Sequence, residues 1–299
     1  MTADVVVVSI EEDGCCGRGE CVPYARYGET KESALRQIES VQRLIEAGVG
    51  REDLISILGA GAARNAIDCA LWDLELKRSG RRLFPARFSD PITTAVTISY
   101  GDAKAMGMEA ALRADFPLLK IKFGSRHDLD RLKSVRDAAP NSKLIVDANE
   151  AWTIQDLEYL APFLHAEGVM AVEQPLAATH DNQLQAAHYP FSICADESCH
   201  TRESLARVHG KYDMINIKLD KTGGLTEAIA LRDLARTHGL KIMVGCMVAT
   251  SLSMAPALVI AAGADFVDLD GPLLLARDRE HGLSYDGPNI STPDPRLWG

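Results

Sequence analysis

A chain of 299 residues with 46% hydrophobic and 25% charged residues has the composition of an ordinary globular protein and excludes the disordered, fibrous and low-complexity classes. Its formal net charge of -10 and pI near 5.3 argue against nucleic acid or an anionic membrane as partner, which leaves a small molecule as the default ligand and a homo-oligomer open. The first ten residues have no basic start, no stretch approaches a membrane span, and seven cysteines without framework spacing point to a reducing cytoplasm.

Val5 to Ile10, a turn at Asp13-Gly14 and Gly17 to Cys21 read as a small antiparallel piece. Cys15, Cys16 and Cys21 have no fourth ligand nearby to complete a metal cluster. Thr30 to Ala47 reads as a helix with Ala34, Ile38, Val41 and Leu44 at helical spacing, opened by Thr30 three residues before Ser33. Ala62 to Arg78 is a second helix, with Ala63, Ala66, Ile67, Ala70, Leu71 and Leu74 on its apolar side. Gly80, Pro85 and Pro91 break the pattern and place a domain boundary near residue 90.

From Thr93 the pattern becomes regular. Apolar runs ending in polar residues alternate with helix-like segments at Thr94–Ser99, Leu118–Phe123, Lys143–Val146, Val169–Val172, Phe191–Ala195, Met214–Ile217, Lys241–Val244 and Phe266–Leu269. Eight such βα units close into a TIM-like barrel over residues 91–282, with its site at the C-terminal strand ends. Gly271-Pro272 follows the eighth run without a convincing helix, so the last unit lacks one, and the tail, about 283–299, is expected to return to the N-terminal domain of residues 1–90. An open doubly wound sheet would need a Gly-rich phosphate loop after its first strand, and none is present.

The polar residues ending these runs carry the chemistry. In Leu118-Leu119-Lys120-Ile121-Lys122-Phe123, alternation puts two lysines on one face, a costly arrangement in a core and, taken alone, equally the mark of a solvated edge strand. Asp147, Glu173 and Asp196 end the next three runs and would converge as an all-oxygen site suited to Mg²⁺. Lys122 and Lys218 flank them in strand order. A carboxylate triad between two lysines suits abstraction of a proton α to a carboxylate, the metal stabilising an enediolate and one lysine working on each face. Neighbouring cations are expected to lower both lysine pKa values toward the useful range.

On these residues the chain resembles the enolase superfamily, in its muconate-lactonizing-enzyme-like subgroup, whose superfamily sites pair a Lys or His base with Mg²⁺. Lys120-Ile121-Lys122, Asp147-Ala148-Asn149, Val172-Glu173-Gln174-Pro175, Ala195-Asp196-Glu197-Ser198 and Ile217-Lys218 match in order and spacing, as does Ala66-Ile67-Asp68-Cys69-Ala70-Leu71-Trp72-Asp73 at the domain junction. The resemblance implies an N-terminal α+β capping domain over a (β/α)7β barrel, Mg²⁺ on Asp147, Glu173 and Asp196, acid/base roles for Lys122 and Lys218, and Lys120 at the substrate carboxylate. Val267-Asp268-Leu269-Asp270-Gly271-Pro272 looks like the Asp-x-Asp motif of dipeptide epimerases, with Asp268 and Asp270 gripping the ammonium of a dipeptide; the competing role, capping a following helix, is disfavoured by Pro272.

Two departures qualify the match. Capping domains of this family usually carry a further strand and a mobile loop before the strand at Val5–Ile10, so this one reads as shortened at its N-terminus, without the loop that reads the distal side chain. Ala249 stands where an acid is common in dipeptide epimerases, so substrates beyond alanyl-glutamate are expected. The implied reaction is Mg²⁺-dependent epimerisation of L-Xaa-L-Xaa dipeptides by two-base 1,1-proton transfer at the C-terminal residue's Cα. The alternatives are N-acylamino acid racemisation, o-succinylbenzoate formation or cycloisomerisation in the same subgroup, and a dipeptide-binding paralogue without turnover. A Schiff-base aldolase using Lys218 or Lys122 is disfavoured by the carboxylate triad.

Overall fold

A computed structural model describes residues 4–85, 88–185 and 188–299. Strands β1 (Val6–Glu12) and β2 (Cys15–Cys21) form an antiparallel hairpin, with Val6 opposite Cys21 and Glu12 opposite Cys15. Helix α1 (Lys31–Glu46) starts in a Thr30–Ser33 capping box, as its sequence implies. A further helix, α2 (Arg51–Ile57), was not anticipated; seven residues long and half-exposed, it has little apolar periodicity to announce it. Helix α3 (Ala62–Ser79) is buried over most of its length and lies directly on β2. That approach requires the glycines of β2, because a Cβ on Gly17 or Gly19 would fall 2.2 Å from the Ala70 carbonyl oxygen or 2.1 Å from that of Ala66.

After the short strand β3 (Ile92–Thr93) come β4 (Val96–Ile98), β5 (Leu118–Lys122), β6 (Lys143–Asp147), β7 (Val169–Glu173), β8 (Ser192–Ala195), β9 (Met214–Ile217), β10 (Lys241–Val244) and β11 (Phe266–Val267). These last eight pair in chain order in one sheet, all parallel, over the runs expected from sequence. The sheet closes on itself where the Ala95 N–H donates to the Val267 carbonyl at 2.7 Å. Two side chains complete the seam: Thr94 Oγ1 accepts from Leu269 N and Asp270 Oδ2 from Thr97 N, each at 2.8 Å.

The surrounding helices are α4 (Ala103–Leu112), α5 (Leu129–Ala138), α6 (Ile154–Ala166), α7 (Leu205–Val208), α8 (Leu219–Thr222), α9 (Leu225–Thr237) and α10 (Ser251–Ala261). The eighth strand is followed only by a 3-10 turn at Gly271–Leu274, as expected. Among the described residues, the segment between β7 and β8 also holds only a 3-10 turn, Asp181–Gln183. Asp181 there is tied down by Lys211, Tyr212 and Ser198 instead of being carried on an α-helix. The tail forms a hairpin, β12 (Tyr285–Asp286) and β13 (Asn289–Ile290), which pairs with β3. Its last residues reach α3, where Trp298 Nε1 donates to the Cys69 carbonyl at 3.0 Å.

Ala95, Leu118, Ile145, Ala171, Cys194, Met214, Met243 and Phe266, one from each strand or its entrance, form an apolar cluster inside the barrel. The N-terminal unit docks onto the barrel through polar contacts. Buried Glu20 on β2 accepts from Thr250 N at 2.8 Å, Thr250 Oγ1 at 2.6 Å and the Arg279 guanidinium at 2.6 and 2.9 Å. Glu20→Gln removes the charge that balances Arg279 and should cost about 3 kcal/mol, the low end for breaking a buried pair because Arg279 keeps some contact with water. Denaturant unfolding measures this directly, and Arg296→Ala, which breaks an exposed ion pair with Asp294, should leave the midpoint in place.

Candidate active site

Strand side chains alternate, so residues two and four beyond the apolar cluster project into the barrel mouth. On β5 these are Lys120 and Lys122, and on β6 Asp147 and Asn149. Glu173 ends β7, Asp196 follows β8, Asn216 and Lys218 lie on and just after β9, and Asp268 and Asp270 follow β11. Register fixes the neighbours: Lys122 stands opposite Asp147, and Asp147 opposite Glu173. All eight residues anticipated from sequence therefore meet at one end of the barrel.

The Lys120 ammonium lies 3.1 Å from Asp147 Oδ2, 2.7 Å from Glu173 Oε2 and 2.9 Å from Asp268 Oδ2. Lys122 donates to Asp147 Oδ2 at 2.7 Å and to Asn149 Oδ1 at 2.8 Å; its side chain is 33% exposed, open to the mouth. Lys218 donates to Asp196 Oδ2 at 2.6 Å and sits 4.0 Å from Glu173 Oε1. A Cβ on Gly245 would fall 2.6 Å from Asn216 Oδ1 and 3.0 Å from Lys218 Cε, so the glycine leaves the space through which Lys218 reaches the carboxylates.

Burial dominates the titration of these groups, and the ion pairs then decide its sign. Burial pushes Asp147 up, but Lys120 and Lys122 together hold it at about 2. Asp196 is held well below the ordinary range against burial by Lys218 and Lys221. Glu173 is raised, by burial and then by the charge of Asp147. Against their own burial, Lys120 and Lys218 are raised well above the usual lysine value by the surrounding carboxylates. For Lys218 the direction is opposite to the lowering expected from sequence, because Asp196 and Glu173 outweigh both its burial and the repulsion of Lys120.

The three carboxylates suit a hard divalent cation. Their donors are all oxygen and come from consecutive strands, and beside them Asn216 Oδ1 is a buried acceptor without a hydrogen bond. Among the described residues no three carboxylate, His or Cys groups stand close enough together to hold a metal ion as they are placed; the ammonium nitrogens of Lys120, Lys122 and Lys218 lie beside these oxygens.

Asp268 and Asp270 differ from each other. Asp268 Oδ1 is buried without a partner while Oδ2 pairs with Lys120. Asp270 closes the barrel seam through Thr97 and is raised to about 6 by burial and then by Asp268. Asp270 makes no side-chain cap to the turn that follows, so the helix-capping alternative falls away.

Sequence reasoning missed several members of the site. Asn216, two residues before Lys218 on the same strand, donates to Glu173 Oε1 at 2.7 Å, and alternation could have found it. Gln174, with φ 37°, accepts from the backbone N–H groups of Asp196 and Ser198 at 2.9 and 3.1 Å. Glu197, read from sequence beside Asp196 at the end of the fifth run but given no role there, is raised to about 7 by burial and then by Asp196. From the N-terminal unit, Arg26 grips Glu150 with two 2.7 Å hydrogen bonds and Tyr27 packs edge-on to His200. No local pattern signals contacts that join residues more than a hundred positions apart.

Family models match both parts of the chain: the mandelate racemase / muconate lactonizing enzyme N-terminal domain over residues 1–84, and the enolase C-terminal domain-like family over residues 104–291. An L-Ala-D/L-Glu epimerase of Escherichia coli is 46% identical, over 95% of this chain and 90% of its own length. An N-acetyl-D-glutamate racemase of a Pseudoalteromonas species is 44% identical, over 99% and 95%. The crystal structure of an enolase family member from Agrobacterium tumefaciens with homology to dipeptide epimerases, holding sodium and L-Ala-L-Glu, has a TM-score of 0.96 and 48% identity, covering 99% of this chain and 92% of that one. The Enterococcus faecalis dipeptide epimerase with Mg and L-Leu-L-Tyr has a TM-score of 0.88 and 30% identity, covering 98% and 90%. The chain is therefore an enzyme of the enolase superfamily, belonging to its mandelate racemase / muconate lactonizing enzyme family.

Proposed function

We infer that the chain is a Mg²⁺-dependent dipeptide epimerase that inverts the Cα of the C-terminal residue by two-base 1,1-proton transfer. The observation that carries this reading is positional: Lys122 and Lys218 arrive on β5 and β9, on either flank of the three strands that bring Asp147, Glu173 and Asp196. Lys122 and Lys218 then face opposite sides of a substrate held between them, one removing the Cα proton and the other delivering it to the opposite face. Lys120 holds the substrate carboxylate, and Asp268 and Asp270 hold the ammonium at the other end. Asp147, Glu173 and Asp196 would hold Mg²⁺, which supplies Lewis-acid stabilisation of negative charge developing on the carboxylate.

The working division is a capping domain over residues 1–90, completed by the tail from about 283, and a catalytic barrel over 91–282. The seven cysteines are all free, which supports a cytoplasmic setting. No helix among the described residues is long and apolar enough to cross a membrane, and the acidic net charge of -10 disfavours nucleic acid.

Chelation should abolish turnover, and Asp147→Asn, Glu173→Gln and Asp196→Asn should each lose Mg²⁺ in a calorimetric titration. Full activity in excess EDTA would remove the metal from the mechanism. For the lysines, the readout is Cα–deuterium exchange in D₂O. Lys122→Ala and Lys218→Ala should each stop epimerisation while exchange persists from one epimer only, a different one for each variant; equal exchange from both epimers would break the assignment.

The rival reading is an N-acylamino acid racemase, favoured by the 44% identical N-acetyl-D-glutamate racemase. The unpartnered, buried Asp268 Oδ1 favours a cationic ligand group instead. A charge-assisted contact is worth about 1.5–3 kcal/mol, so Asp268→Asn should lower kcat/KM for free dipeptides about ten- to a hundredfold without loss of metal binding. N-acetylated dipeptides, which leave that carboxylate unpaired, should be rejected by the wild type. Equal turnover of acetylated and free compounds would transfer the assignment to the racemase.

A further inference from the structure

Lys221 is 1% exposed, on the single turn α8 that follows Lys218. Its ammonium donates to Asp196 Oδ1 at 2.6 Å, to the Asp196 carbonyl, and to the carbonyls of Cys199 and Asn216, both at 2.9 Å. Four acceptors on three residues, from the loop after β8 and from β9, use all of its three N–H donors, so no proton is left to exchange with a substrate. Gln174 works from the other side, its Oε1 accepting from Asp196 N while its Nε2 donates to Leu176 O, Ser198 Oγ and Tyr212 OH. The backbone N–H, the carbonyl and Oδ1 of Asp196 are thereby committed to protein partners. Oδ2 is left, facing Lys218 at 2.6 Å.

We propose that Lys221 is a positioning residue that clamps Asp196 so that one carboxylate oxygen alone is offered to the cation site, already aimed before any cation arrives. This rests on the reading of Asp147, Glu173 and Asp196 as Mg²⁺ ligands and adds what sets the third. Charge and clamp act with opposite sign. As a fixed positive charge Lys221 repels a dication, so through charge alone its removal would tighten Mg²⁺ binding. As a clamp it holds Asp196 in place, and its removal weakens binding, in line with the usual cost of losing a partner that orients a metal ligand.

The test is calorimetric titration of Mg²⁺ into metal-free wild type, Lys221→Met, and Leu160→Ala, the last removing a buried side chain of α6, a helix that packs on β7 but itself carries no site residue. Lys221→Met should bind about 10- to 100-fold more weakly, Leu160→Ala like wild type, and kcat on dipeptides should fall more than KM rises in Lys221→Met. In Lys221→Ala, propylammonium should restore Mg²⁺ affinity in a saturable manner. Unchanged or tighter Mg²⁺ binding by folded Lys221→Met overturns the clamp. Should neither variant fold, ¹⁵N-lysine spectra of the wild type decide: the slowly exchanging Lys221 ammonium signal should survive Mg²⁺ addition unshifted while those of Lys120 and Lys218 move, and loss of the Lys221 signal overturns the proposal. A wild type that binds no Mg²⁺ would instead sink the cation site itself, and this inference with it.

Discussion

Buried charge organises this molecule. Lys120, Lys218 and Lys221 are each no more than 8% exposed, and so are Asp147, Glu173, Asp196, Asp268 and Asp270. A lone ion of either kind would not tolerate such burial; it would shift its pKa until neutral. Here each ammonium reaches at least one carboxylate, and Asp147, Glu173 and Asp196 each reach at least one ammonium, so the set is stable only as a set. Removing any member strands its partners, which is why residues far apart in the chain must be delivered to one place with small error. The closed parallel barrel does this because each strand contributes an apolar residue to the cluster below, and five of the eight (β5, β6, β7, β8 and β11) place a charged residue two positions on.

The N-terminal unit is fastened to the part of the barrel that carries Lys218 and Lys221. Arg64 of α3 donates to the carbonyls of Thr222 and Gly223, and Asn65 donates to Asp220 Oδ1 at 2.7 Å. Asp68 accepts from Thr226 N and Thr226 Oγ1 at the start of α9, placing a carboxylate where the helix presents free N–H groups. The same helix, through the glycines of β2, holds the hairpin that delivers Glu20 to Thr250 and Arg279. The segment Ala25–Tyr27 leaves that hairpin and lies over the mouth, where Arg26 meets Glu150. The hairpin that leads to Ala25–Tyr27 and the segment that follows Lys218 are thus both held by α3.

Strand positions and the charged residues ending them were legible because alternation and βα spacing are local signals, and Lys120-x-Lys122 or Asp268-x-Asp270 states its geometry within three residues. The seam was not legible, since Ala95 and Val267 meet only once the barrel has closed. Lys221 escaped for a related reason: a lysine four positions after β9, on one helical turn, looks like a surface residue until Asp196 and Cys199 arrive from the neighbouring strand. The proximity of like charges is visible in Lys-x-Lys, whereas the carboxylates that raise Lys218, Asp196 and Glu173, arrive from other strands. Short irregular elements, α2 and the tail hairpin, lack periodicity long enough to register.

Asp270 shows how fold and recognition compete for one side chain. Its Oδ2 holds Thr97 N across the seam, where β4 and β11 share little backbone pairing, so the carboxylate is structural before it is a ligand group. Asp268 is free of that duty but shares Oδ2 with Lys120, the lysine proposed to hold the substrate carboxylate. A zwitterionic ligand satisfies both demands at once, its carboxylate drawing on Lys120 as its ammonium compensates Asp268. A ligand carrying only the carboxylate would compete for Lys120 and leave Asp268 and Asp270 facing each other with less positive charge between them. On the proposed roles of Lys120, Asp268 and Asp270, the arrangement couples the two ends of the substrate through one lysine and would select for both charges together.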